Sequence, residues 1–359
     1  MTNDSKKLME WVINKIKSEY PDDIALLVAV EGGSVNGDEH GVPFDYFVPV
    51  TDRGYELSST FIIGNVGNDL YPRDWERCER TANLDDWATF CLMNGMVRYS
   101  RCSADEEKFE TLRQKLIDNL NDPVFIYKKA LERLESAMDM YRTMMFEDRL
   151  YKVRGLAGYI HYFLAMGVAY LNNSCVGNEA GHLGVHAEYS TWKKLPARFL
   201  EYYESILSAD TVGELKSITH LLIASARQFI AQHKPEDTVQ SKTPDYKELA
   251  EWYQELKTTW NRIYYFCETN NSDAVFTDAC GLQNELSIIN DDFNFMHSFN
   301  IEERYELKEF DLLGAFDAQN LNRLAVRAAE LEQIIISAIE SNGVKIRRYD
   351  TLDDFLAAN

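Results

Sequence analysis

Apolar positions along the first hundred residues change their period several times. Leu8, Trp11, Val12, Ile16 and Tyr20 recur at helical spacing, so residues 5–19 read as an amphipathic helix that Pro21 ends. Short apolar runs follow over 24–30, 46–51 and 60–66. Their length and composition are those of strands, and Gly and Asn flank the last. Residues 73–93 read helical, 96–100 form another short extended run, and 105–120 form a charged amphipathic helix that leads out of a first domain.

From Asp122 onward the pattern is almost wholly helical. Pro123 stands at a helix start, with 124–149 behind it. Residues 153–171 are apolar on most faces, through Leu156, Tyr159, Ile160, Phe163, Leu164 and Met166, which suits the centre of a bundle. The Gly- and Asn-rich stretch 173–190 reads as a loop. Pro196 opens a helix reaching Leu207, and 212–232 gives another. Residues 233–244, with two prolines, read as a linker. Long helices at about 245–269 and 318–342 enclose a mixed region containing Phe276, Ile288, Phe293 and Phe295. The end, 344–355, reads as an extended piece followed by a helical turn. The expected fold is α+β: a mixed sheet with helices over 1–120, a helical bundle over 121–240 and a second, mainly helical region over 241–359.

Composition narrows this picture. A chain of 359 residues has room for two or three domains, each able to bury a core without a disulfide or metal staple. The six cysteines are scattered and none falls in a C-x-x-C pair, which argues against zinc and disulfide frameworks and for a reducing cytoplasm. No apolar run approaches the ~20 residues that span a bilayer, and the N-terminus lacks the apolar core of a secretory signal. With 37 basic and 58 acidic residues the net charge is −21. That balance argues against a broad surface for duplex nucleic acid and would steer a cationic small molecule inward, although acidic surfaces also serve solubility alone.

The densest candidate chemistry lies in residues 32–50. An apolar run is followed by Gly33-Ser34, ten residues, and then Asp45 at the head of a second apolar run. A Gly-Ser turn can offer backbone N–H groups and a hydroxyl to a triphosphate. Acids at i and i+2 on a strand face one way and can hold Mg²⁺. Here the position two after Asp45 is Phe47.

This layout resembles the nucleotidyltransferase superfamily that includes kanamycin and streptomycin adenylyltransferases. The resemblance implies that Gly33 and Ser34 contact the triphosphate and that Asp45 is the first metal-binding acid. It implies Asp69, in the segment 68–77, as a further acid. The run 93–101 and a helical C-terminal part also look like this group, and the similarity covers roughly the first third of the chain. The implied function is transfer of a nucleoside monophosphate from a nucleoside triphosphate, ATP by preference, to a hydroxyl of a small molecule, with Mg²⁺ as cofactor. The departure at Phe47 leaves a second reading open, a protein of the same fold that binds nucleotide without transferring it. Glu31, Asp38 or Glu39 could substitute for the missing acid.

Two further pairs have chemical spacing. Arg154 and His161 share a helix face and fit the loose Arg–His motif of HEPN ribonucleases, although a satisfied core histidine explains His161 as well. His182 and His186 lie four apart, but Gly181 and Gly184 speak against a helix there and no third zinc ligand is evident.

Overall fold

The structure, a computed structural model, describes residues 3–30, 46–63, 66–177, 184–235, 245–286 and 311–358. The chain divides into two compact units, Met1–Thr238 and Val239–Asn359. The first combines a small antiparallel sheet with helices. The described part of the second contains helices and no strand. Among the described residues no helix is long and apolar enough to cross a membrane.

In the first unit, helix α1 (Asn3–Glu19) leads into strand β1 (Ile24–Val30). β1 is the central strand of three, with β2 (Tyr46–Pro49) on one side and β5 (Gly95–Ser100) on the other. Its unbroken apolar sequence follows from that place, because both faces are covered. Leu27 and Ala29 join a cluster with Met9, Val12 and Ile16 of α1. Leu26 and Val28 join another with Leu112 and Leu116 of helix α4 (Ser103–Asn121). The α1 stripe differs from the expected one: Met9 is buried, while Trp11 is 50% exposed. Met9, Val12, Ile16 and Tyr20 follow the i, i+3, i+7, i+11 pattern, and Trp11 stands beside it.

The single strand expected over 60–66 is two strands. β3 (Ser59–Ile63) and β4 (Val66–Leu70) pair as a hairpin with Ile63 opposite Val66. The intervening sequence, Gly64-Asn65, is of the turn-forming kind and outweighs the continuity of the apolar run. Beyond β4 the chain returns to the first sheet. Phe47 N–H donates to the Tyr71 carbonyl at 3.0 Å and Arg73 N–H donates to the Phe47 carbonyl at 2.9 Å. This parallel bridge between Phe47 and Pro72 is the exception to antiparallel pairing in a sheet expected to be mixed. Residues 73–93 hold two helices, α2 (Trp75–Ala82) and α3 (Thr89–Met93), separated near Leu84, whose φ of 59° is incompatible with a continuing helix.

Asp122 caps helix α5 (Pro123–Met145), accepting from the amides of Val124 and Phe125 at 2.9 and 3.1 Å, with Pro123 preset at the first turn. Helix α6 (Leu150–Tyr170) follows. Its apolar breadth is explained by two cores. Val153, Ile160 and Leu164 belong to the bundle formed with α5 and α9 (Val212–Ala231). Met166 and Tyr170 belong to the cluster beneath the sheet, with Ala25, Leu26 and Tyr46. The stretch expected as loop over 173–190 contains a short helix, α7 (Val185–Tyr189), and α8 (Phe199–Ser208) comes next.

The second unit packs α10 (Tyr246–Glu268), α11 (Ser272–Leu286) and α12 (Asn322–Ser341) around Trp260, Ile263, Leu282, Leu331 and Ile335. A final helix, α13 (Leu352–Ala358), closes the described chain. Phe276 lies on α11, whereas Ile288, Phe293 and Phe295 fall outside the described residues. One carboxylate is built into this core. Glu332 accepts hydrogen bonds from Tyr253 and Tyr264, both at 2.7 Å, and from Lys257 Nζ at 2.5 Å. Burial works against its ionisation, but these three donors outweigh it and keep its pKa below the ordinary carboxylate value.

Candidate functional site

Gly33, Ser34 and Asp45 lie outside the described residues, as do Glu31, Asp38 and Glu39. Phe47 is 0% exposed and packs in the α1 cluster with Leu27, Ala29, Leu57 and Leu70. It is a core residue. Asp69 sits on β4 opposite Thr60. Asn68 and Leu70 are buried on either side of it and Asp69 is exposed, as strand alternation requires. Its carboxylate makes no hydrogen bond or ion pair with another described residue. Among the described residues no group of three or more His, Cys, Asp or Glu is placed to hold a metal ion. A lone exposed carboxylate does not make a Mg²⁺ site, so the described residues by themselves do not fit the ion.

Two other acids of this region are engaged in structure. Asp74 caps α2 through the Arg77 amide at 2.8 Å and accepts from the Tyr55 hydroxyl at 2.9 Å. Asp86 accepts from Arg77 Nε at 2.7 Å and from the Ala88 amide at 2.9 Å, with Arg73 at 3.7 Å. Desolvation opposes its charge, but those partners hold its pKa below the usual value. The Arg73 guanidinium is buried, lies 5.2 Å over the Tyr46 ring and donates to Thr81 Oγ1 at 3.3 Å. Arg73 therefore fastens the segment after β4 to both β2 and α2, which fixes the strand that carries Asp69.

A second arrangement lies among the helices of the first unit. Arg154, Gly158, His161, Tyr162 and Ala165 of α6 are spaced i, i+4, i+7, i+8 and i+11, and this stripe walls a cavity of about 350 Å³. Glu188 and Tyr189 of α7 and Tyr203 of α8 supply the facing walls. The Tyr189 hydroxyl and His161 Nε2 share a hydrogen bond of 2.5 Å, and the Tyr203 ring stacks on His161 with centroids 4.2 Å apart. Burial lowers the His161 pKa to about 4, so the imidazole is neutral at pH 7. Arg154 donates to the Ala209 carbonyl at 2.6 Å and lies 3.9 Å from Asp210.

Glu188 is 5% exposed. Its carboxylate accepts from the Gly177 amide at 2.5 Å and pairs with no cation among the described residues. Gly177 has φ +84°, which turns its N–H toward Glu188, and an added Cβ would press on the Phe90 ring at 3.1 Å. Burial pushes the Glu188 pKa up, and the amide only partly offsets this.

Arg154 and His161 lie on one face of α6, as their spacing implied, and the structure adds that both line one cavity, with both already hydrogen-bonded. It does not bring His186 into a metal site: its Nε2 lies 3.7 Å from Glu204, and His182 is outside the described residues. Sequence reading missed Glu188, Tyr189 and Tyr203. The one available signal was Glu188-Tyr189 followed at short range by Trp192, an apolar and acidic knot inside a Gly-rich stretch. Comparisons with protein-family models, with curated proteins and with solved structures return no match.

Proposed function

We propose that this protein binds a nucleoside triphosphate, ATP by preference, through a nucleotidyltransferase-like N-terminal region, and transfers the nucleoside monophosphate to a hydroxyl of a small molecule. The observation that carries this reading is the sequence layout: apolar strand, Gly33-Ser34, ten residues, and Asp45 at the head of the next strand. Two features of the fold support it. β1 and β2 are antiparallel neighbours, so residues 31–45 link adjacent strands. The Phe47–Pro72 bridge returns the chain to β2 two residues after the hairpin strand that bears Asp69. Gly33 and Ser34 would contact the triphosphate, and Mg²⁺ would depend on Asp45 joining Asp69.

The burial of Phe47 favours a second reading, nucleotide binding without transfer. A position that belongs to the hydrophobic core cannot supply the second metal-binding acid. Both readings predict that the full chain binds Mg-ATP in a calorimetric titration and that Asp45→Asn and Asp69→Asn each weaken binding at least about ten-fold. Nucleotide-dependent pyrophosphate release separates them: present under transfer, absent under binding alone. A full-length protein that takes up no Mg-ATP would defeat both.

A further inference from the structure

We infer that the cavity between α6, α7 and α8 is a binding site for a small organic ammonium ion, with Glu188 as its counter-charge and Tyr162, Tyr203 and His161 as its aromatic wall. The site is independent of nucleotidyl transfer and stands whether or not that chemistry occurs.

The first support is the state of Glu188. A carboxylate this buried normally has an arginine or lysine beside it, because an unpaired buried charge is expensive. Glu188 has one backbone donor, the Gly177 amide, and no cation among the described residues. The other charged group that the described residues place on the cavity wall is Arg154, which is exposed, donates to the Ala209 carbonyl and lies 3.9 Å from Asp210. Glu188 therefore offers the cavity a buried carboxyl group that one amide orients and that no cation among the described residues neutralises.

The second support is the wall. Aromatic rings attract cations through their negative faces, and an alkylated or primary ammonium gives up less hydration than a metal ion when it enters such a site. Three tyrosines and a neutral imidazole border this cavity, and Glu188 is near enough to Tyr162 to raise the pKa of that phenol further, after burial has already raised it. The third support is space. A Cβ added at Gly158, on the lining stripe of α6, would meet nothing within 4 Å. The cavity volume of about 350 Å³ lies within the range of small-ligand pockets.

The same features disfavour an anion. A phosphate would face the Glu188 carboxylate, and Arg154 is already engaged. The net charge of −21 points the same way, since it draws cations toward the surface.

The test is calorimetric titration of the full-length protein with choline and cyclohexylammonium, each compared with its uncharged isostere, 3,3-dimethylbutan-1-ol and cyclohexanol. The expected result is that at least one cation binds ten-fold or more tightly than its isostere, and that Glu188→Gln removes this preference. The carboxamide oxygen of that variant can still accept from the Gly177 amide, so the loop contact is kept, and a thermal melt establishes that the variant is folded. Should that variant not fold, Tyr203→Leu serves instead and is expected to weaken the cation more than its isostere. Equal binding of cation and isostere for both pairs, no binding of any of the four, or a cation preference that survives Glu188→Gln overturns the proposal. Because no nucleotide is present, a failure of Mg-ATP binding leaves this outcome unaffected.

Discussion

At the scale of single residues, three side chains make predictions that differ in sign. Phe47 is sealed in the α1 cluster. Phe47→Leu should cost about 1–2 kcal/mol in denaturant unfolding, as a partly collapsing cavity. Phe47→Asp should cost at least about 4 kcal/mol, because it also buries a charge with no partner. Placing an acid here would thus disrupt the core before it improved a metal site. His161 behaves differently. Its folded pKa of about 4 lies below the ordinary 6.5, so the unfolded chain takes up the proton first. Its contribution is therefore fully present above pH 6.5 and is lost as pH falls toward 4, by up to about 3 kcal/mol. Thermal melts between pH 4 and 8 should show this slope, and His161→Gln should flatten it. Glu188 has the opposite sign. Its folded pKa is raised, so the folded state holds its proton longer and stability declines as pH rises above the ordinary carboxylate value. Glu188→Gln should therefore melt higher than the parent at pH 7–8 without added ligand. A lower melting temperature would show that the carboxylate is not under strain.

Among the elements, much is legible in the sequence. Asp122-Pro123 announces α5 because the carboxylate caps and the proline presets the first turn. Asp122→Ala should cost about 1 kcal/mol by the same measurement. The apolar breadth of α6 is visible as a central helix, but its cause, membership of two cores, is not, since periodicity does not report which partners cover each face. The hairpin of β3 and β4 reads as one strand because only two residues separate its paired strands in the sequence. α7 is hidden by the Gly- and Asn-rich sequence around it, and with it the cavity that Glu188 lines. The predicted Gly-Ser and Asp45 site falls outside the described residues, so of that constellation only Asp69 is placed, on an exposed strand position. Gly158 offers a check on α6 itself. Because its Cβ position is open, Gly158→Ala should stabilise the chain by about 0.5–1 kcal/mol through helix propensity alone.

At the scale of the whole molecule, each compact unit has hydrophobic clusters of its own among the described residues: three within Met1–Thr238 and one within Val239–Asn359. Residues 1–238 and 239–359 expressed separately should each give a cooperative thermal transition and a helical circular-dichroism spectrum. In the second piece, Glu332→Ala should lower that transition, since it leaves two phenols and the Lys257 ammonium without their shared acceptor. Within the first unit the sheet is completed late. β1 needs β5, which begins at Gly95, and the cluster under the sheet needs Met166 and Tyr170 at the far end of α6. On the ribosome, then, part of the apolar side of the early strands stays uncovered until about 170 residues have been polymerised and a few dozen more have pushed that helix clear of the exit tunnel. A nascent chain of this design should engage chaperones during its synthesis, and arrest of translation near residue 120 should release an aggregating fragment in place of a small folded domain.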